Sequence, residues 1–203
     1  MRLRHLEMAL EGLEGFSSPS AAREQYRTPA VLAARLLHHA WSRRDIAGKS
    51  ILDLGCGTGI LSCGAMLLSA RQAVGVDLDP EALETAGENA RRLGVMVTFL
   101  QADISNQEAI GAAGPYDTAV MNPPFGAQAP HADRPFIDAA LLHAPTVYGI
   151  FNAGSRSFLA SYVKGRAEIT DLVEARFPMR RTFRFHRDEV REIPVEIVRM
   201  VRC

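Results

Sequence analysis

An α/β fold on a doubly wound, mostly parallel sheet of seven strands is predicted by three features of the sequence. Short apolar, strand-like runs alternate with helical stretches along most of the 203 residues, and repeated βαβ order of this kind builds a parallel sheet with helices on both faces. A glycine-rich turn, Gly55-Cys56-Gly57-Thr58-Gly59, follows the first of those runs. Near the C-terminus the run 195–201 alternates apolar and polar residues, the pattern of a half-buried antiparallel edge strand.

Taken in order, Leu3, Leu6, Leu10 and Leu13 recur at spacings of three and four, so they share one face of a short helix whose stripe packs on the core. Residues 15–19 break that pattern. A second helix is expected over 29–43, with Pro29 suited to its first turn. The run 49–53 is a short buried strand, and beyond the glycine turn an apolar helix is expected over 60–68. The spacing predicts a strand at 72–77 and a helix at 80–93, opened near Pro80 and stopped at Gly94. Strands at 97–100 and 117–121, a helix at 135–143, a strand at 146–151 and a helix at 157–165 continue the alternation. Strands at 168–177 and 195–201 complete it. No repeat, linker or low-complexity segment interrupts the chain, so residues 1–203 are expected to form a single domain.

Composition excludes several classes. Hydrophobic residues make up 47% and charged residues 23%, ordinary for a globular protein and unlike a disordered, collagen-like or disulfide-stapled chain. Cys56, Cys63 and Cys203 form no C-x-x-C pair, which suggests neither a metal cluster nor a disulfide framework and fits a reducing, cytoplasmic setting. The first sixteen residues are punctuated by Arg2, Arg4, Glu7, Glu11 and Glu14, so no signal peptide or membrane helix is expected. The formal net charge is zero. One stretch is nonetheless basic: Arg176, Arg180, Arg181, Arg184 and Arg187 stand with His186 and no acid, interleaved with Phe177, Phe183 and Phe185. It is either a phosphate-binding surface for RNA or a solvated strand face whose arginines pair with acids elsewhere.

The glycine turn lies at a strand's carboxyl end and opens a helix, the place where open α/β sheets bind ligands. Asp77 follows Gly55 at roughly the 20-residue distance of an acid that accepts from ribose hydroxyls. Dinucleotide binders use G-x-G-x-x-G, whereas here the third glycine comes one residue earlier. The G-x-G-x-G spacing resembles motif I of class I Rossmann-like methyltransferases, in which the turn holds the amino acid half of S-adenosylmethionine. That resemblance implies that Asp103 accepts from the cofactor adenine and that Ile104 donates through its backbone.

Asn122-Pro123-Pro124-Phe125 ends the fourth predicted strand and carries the most specific chemistry. Two consecutive prolines remove two donors and stiffen the loop. The Asn122 side-chain oxygen and the Pro123 carbonyl remain as acceptors, and each can take one hydrogen from an exocyclic amino group, fixing its nitrogen towards an electrophilic methyl. Phe125 offers a base a flat apolar face, a contact worth about 1–3 kcal/mol. A sulfonium donor is already activated, so no strong general base is required. In keeping with that, the sequence holds no Ser/His/Asp set, H-E-x-x-H or G-x-x-x-x-G-K-[ST] that would point to another reaction.

With Gly126 added, the chain resembles the archaeal and eukaryotic methyltransferase-like family that forms N6-methyladenosine in small-subunit ribosomal RNA. The likeness extends to Glu24-Gln25-Tyr26 with Thr28, to Asp53-Leu54-Gly55-Cys56-Gly57, to Val147-Tyr148 and to Phe185-His186 before a closing strand. It implies that residues 1–45 contribute N-terminal helices and a segment that folds over the cofactor. Contacts to S-adenosylmethionine are implied for Gln25, Thr28, Asp53, Gly55, Gly57, Thr58, Ile60, Asp77, Asp103 and Ile104, with Asn122, Pro123, Pro124 and Phe125 facing the target adenine. A small zinc-binding activator subunit is implied as a partner. Two other amino-methylating reactions fit the same acceptors, at N2 of guanine in ribosomal RNA and at a protein glutamine, the latter usually served by N-P-P-Y. A catalytically silent RNA-binding scaffold is the alternative outside enzymology.

Overall fold

In the computed structural model, which describes residues 1–21, 24–126, 130–180 and 190–203 and of residues 179, 180, 190 and 191 the backbone alone, the predicted alternation becomes one sheet. Two helices, α1 (Leu3–Glu11) and α2 (Ala30–Ser42), precede it. The wound part runs β1 (Ser50–Leu54), α3 (Ile60–Leu67), β2 (Gln72–Asp77), α4 (Pro80–Leu93), β3 (Thr98–Gln101), α5 (Gln107–Ala112), β4 (Thr118–Met121), α6 (Arg134–His143), β5 (Thr146–Asn152) and α7 (Arg156–Tyr162). It closes with β6 (Ala167–Arg180) and β7 (Val190–Arg202). Among the described residues the strand order is β3-β2-β1-β4-β5-β7-β6. Strands β1 to β5 pair in parallel, and β7 runs antiparallel to both β5 and β6.

Alternation along the strands sends side chains to two packed faces. Ile51 and Val120 face a cluster with Leu6 and Leu10 of α1, Leu32, Leu36 and Leu37 of α2 and Leu61 of α3. Leu52, Leu54 and Met121 face the opposite cluster, with Ile137 and Ala140 of α6 and Leu159 of α7. Local signals set several boundaries. Asp79 caps α4 by accepting from the amides of Glu81 and Ala82, Pro80 takes the first helical position, and Gly94 ends the helix at φ +66°. Pro29 sits just outside α2, as its N-cap, rather than in the first turn.

Strand β7 corrects the expectation of an edge. It lies between β5 and β6, and the edge belongs to β6. The polar residues that made it read as half-exposed are taken up inside: Glu196 Oε1 accepts from Gly154 N at 3.0 Å, and Arg199 Nε donates to Asp45 Oδ2 and Tyr148 Oη, each at 2.9 Å. Helix α5 was not expected from the sequence; Asn106 starts it by accepting from Ala109 N. No helix among the described residues is long and apolar enough to cross a membrane.

Strand order reverses between β1 and β4, with β2 and β3 on one side and β5 on the other. At such a switch point adjacent crossovers leave in opposite directions and open a crevice at the strand carboxyl ends. The glycine turn after β1, Asp77 at the end of β2, Asp103 beyond β3 and Asn122 beyond β4 all come to that rim.

Candidate active site

A cleft of about 230 Å³ opens at the switch point, far more than the 10–15 Å³ a single water occupies. The glycine turn forms its floor. Gly55 and Gly57 adopt φ +68° and +51°, where a side chain is strained. A Cβ on either would also stand 2.8 Å from an aromatic ring, Phe136 for Gly55 and Phe16 for Gly57. Glycine here lets the turn tuck beneath two rings that also line the cleft.

Asp77 braces this turn. Its Oδ2 accepts from Gly57 N at 2.8 Å and its Oδ1 from Asp79 N at 3.0 Å. Burial pushes its pKa up, opposed by those two amides, and carboxylate lone pairs remain for a ligand's hydroxyls. Asp103 stands on the exposed rim, where its Oδ1 accepts from Ser105 N and Oγ at 2.8 and 2.6 Å. The Ser105 hydroxyl and amide hold its carboxyl below the usual range. Thr58, Ile60 and Ile104 also line the cleft.

Asp53 departs from this group. It is buried beneath the turn and absent from the cleft wall, with its Oδ2 accepting from Ser62 N at 2.9 Å and from the Ser62 hydroxyl. Its Oδ1 has no partner among the described residues, and burial pushes its carboxyl up to about 7. Its position ties the start of α3 to β1, and it offers no surface to a ligand.

The segment 24–28 crosses the other side of the cleft. Gln25 is held at both ends: its Oε1 accepts from Ser20 N at 2.8 Å and its Nε2 donates to Asp79 Oδ2 at 2.7 Å. Gln25, expected at the cofactor, lines the cleft and also latches this strap, residues 24–28, to the N-cap of α4. Thr28, also expected at the cofactor, accepts from Asn122 Nδ2 at 2.9 Å. Glu24 Oε2 accepts from Phe125 N at 2.7 Å.

Asn122 and Pro124 line the cleft, whereas Pro123 and Phe125 do not. With Asn122 Nδ2 engaged by Thr28, Oδ1 is left buried and without a partner among the described residues. An unsatisfied buried acceptor costs about 1–3 kcal/mol, and a donor arriving at that atom removes the cost. The Phe125 ring packs edge-on to the buried Phe177, centroids 5.7 Å apart at 80°, and its carbonyl accepts from Asn152 Nδ2 at 3.4 Å. The loop is thus held on three sides.

Of the basic stretch, Arg181, Arg184 and Arg187 lie outside the described residues, as does the side chain of Arg180. Arg176 pairs with Glu192 across β6 and β7 at 2.9 Å, the strand-face pairing that was the second reading of that stretch. Phe177, next to Arg176 at its start, is core. Sequence reasoning missed Phe16 and Phe136 as parts of the cleft, Asp79 as the partner of Gln25 and Glu24 as a partner of the loop 122–125. Only Asp79 carried a local sign, the Asp-Pro that starts a helix.

Comparison with known proteins places these features in a family. A profile of the ribosomal protein L11 methyltransferase family matches residues 35–122, the stretch from α2 through the glycine turn to Asn122. An uncharacterized protein of Methanocaldococcus jannaschii is 39% identical, with 98% of this chain and 94% of that protein covered. The rRNA N6-adenosine-methyltransferase Mettl5 of Drosophila melanogaster is 34% identical, with 98% and 96% covered. Among solved structures, a candidate RNA methyltransferase of Pyrococcus horikoshii superimposes with a TM-score of 0.91 at 36% identity, covering 100% of this chain and 98% of that one. The likeness runs through strap, glycine turn, transfer loop and closing strands alike, and on that full-length match the chain belongs to the family of rRNA N6-adenosine-methyltransferases.

Proposed function

We propose that this protein transfers the methyl group of S-adenosylmethionine to N6 of an adenine in small-subunit ribosomal RNA. Membership of a methyltransferase family makes it an S-adenosylmethionine-dependent enzyme. The residues present suit that cofactor. Asp77 is a carboxylate set at the end of β2 for ribose hydroxyls, Asp103 and Ile104 lie on the rim for the adenine, and the glycine turn admits close backbone approach where a Cβ would collide with Phe16 or Phe136. When bound, the cofactor supplies an activated methyl group on a sulfonium.

The chain's own task is orientation. The observation that carries the reading is that Asn122 lines the cleft with its buried Oδ1 unpartnered among the described residues, while Nδ2 of the same amide is committed to Thr28. That oxygen accepts one hydrogen of an exocyclic amine, and the carbonyl of Pro123, a residue off the cleft wall, takes the other once the base is seated, which points the nitrogen lone pair at the methyl donor. Proline at 123 and 124 keeps competing amide donors away from both acceptors. The strap, residues 24–28, lines one side of the cleft. The amine becomes cationic as it is alkylated and then gives its proton to solvent, so a strong base is not needed.

Labelled methyl transfer to small-subunit ribosomal RNA, followed by nucleoside mass spectrometry, tests this. N6-methyladenosine at one position is expected. N2-methylguanosine would move the target to guanine, label in protein glutamine would move it off RNA, and no label would leave an RNA-binding scaffold.

The family resemblance extends the proposal to a small zinc-binding activator subunit; full activity of the isolated chain would remove that partner. A cytoplasmic, reducing setting suits the free thiols of Cys56, Cys63 and the exposed Cys203.

A further inference from the structure

We infer that Glu24 is a positioning residue for methyl transfer, holding the transfer loop through the amide of Phe125 and making no contribution through the cofactor. The inference rests on the proposed role of Asn122 and Pro123 as acceptors. Since Pro123 and Pro124 have no N–H, the amide of Phe125 is the first backbone donor after Asn122 by which the loop can be gripped. Glu24 Oε2 takes it at 2.7 Å, across 101 residues of sequence. A carboxylate on a backbone amide is a charge-assisted bond, stronger than its neutral counterpart.

The backbone of Glu24 is built to aim that carboxylate. It stands at φ +50°, a left-handed conformation uncommon for a residue with a side chain. Two bonds fix it there: Glu24 N donates to Ala21 O at 3.1 Å, and Glu24 O accepts from Tyr26 N at 2.9 Å. Strain of this kind persists where the surroundings over-determine it, and it gathers at functional sites. Four residues on, Thr28 holds the Asn122 amide. One short segment therefore grips both ends of Asn122-Pro123-Pro124-Phe125, with the Pro123 carbonyl between the two grips. Loss of the Glu24 grip leaves the acceptor pair free to drift, and a small displacement of reacting groups costs rate out of proportion to binding.

The test compares Glu24→Ala with Glu24→Gln in the full chain. Glutamine keeps an oxygen for the Phe125 amide while it removes the charge and puts an NH2 in place of the second oxygen. Two quantities are read: hydrogen exchange at the Phe125 amide, on the protein alone, and methyl transfer to small-subunit ribosomal RNA with S-adenosylmethionine affinity measured separately. In Glu24→Ala, amide protection is lost and kcat falls about tenfold or more, while cofactor Kd stays within about threefold. Glu24→Gln restores protection and brings kcat to within about threefold of wild type. Lost protection without a fall in kcat overturns the inference, as does a fall matched by weaker cofactor binding. A Glu24→Gln enzyme as slow as Glu24→Ala would assign the effect to charge and overturn it too. A wild-type enzyme inert on that RNA sinks the proposed function instead, and unchanged Phe125 exchange in Glu24→Ala still sinks this inference.

Discussion

Thr28 and Asn122, 94 residues apart in sequence, meet through a 2.9 Å hydrogen bond in which the asparagine amide donates to the threonine hydroxyl oxygen. In that arrangement the amide nitrogen is turned to the strap and the oxygen is left without a partner among the described residues. An unrestrained asparagine can turn its nitrogen or its oxygen to the cleft, and only the oxygen can accept from an amine.

Thr28→Val keeps the shape of the side chain and removes the acceptor. Methyl transfer is expected to fall about tenfold, the worth of one hydrogen bond of roughly 1–1.5 kcal/mol. S-adenosylmethionine affinity is expected to change little, and Thr28→Ser to recover the rate. If affinity falls instead and kcat holds, Thr28 belongs to the cofactor site.

Asn122→Ala removes the acceptor itself. Activity is expected to drop by about a hundredfold or more, because both alignment and desolvation of the amine are lost. Calorimetry with S-adenosylmethionine should give a near wild-type Kd. Retained activity would take Asn122 out of the mechanism.

Asp77→Ala is expected to act on binding. It removes the brace on Gly57 and Asp79 as well as the carboxylate offered to the ribose. Bonds to a charged group contribute about 1.5–3 kcal/mol, so cofactor affinity should fall ten- to a hundredfold or so. An unchanged calorimetric Kd would show that another group accepts from the ribose.

Asp53 gives the cofactor-free protein a pH dependence. Burial raises its folded pKa to about 7, while the unfolded carboxyl titrates near its ordinary value of about 3.9. Between those limits the folded chain holds more protons than the unfolded one, so stability falls as pH rises from roughly 4 to 7 and the loss is complete above that window. Asp53→Asn cannot ionise. Its stability relative to wild type is expected to improve by about 2 kcal/mol between pH 5 and pH 8, measured by denaturant unfolding at both. A constant difference would mean that Asp53 does not titrate in this range.

Much of this arrangement is legible because it is local. Gly55, Gly57 and Gly59 announce a turn, Asp77 follows at a fixed distance along one βαβ unit, and Asn122-Pro123-Pro124-Phe125 ends a strand; each signal is a short run of neighbours. The strap is not local. Gln25 finds Asp79 and Glu24 finds Phe125 only after the sheet has formed, and no periodicity records such meetings. Strand β7 was misplaced for a related reason: Arg199 and Glu196 suggest a wet face until Asp45, Tyr148 and the Gly154 amide are seen to absorb them.

The carboxyl ends of the sheet are not level. Strand β4 stops at Met121, paired with Gly149, while β5 runs on through Ile150, Phe151 and Asn152 alongside β7. Asn122 therefore starts on a ledge below the lip of its neighbour, with its oxygen sunk out of solvent reach. A purine locked in a paired stem cannot lower its amine onto that ledge, since both base-pairing and the flanking sugars hold it back. For the proposed substrate, the adenosine that receives the methyl group must swing out of its helix or come from an unpaired stretch of RNA.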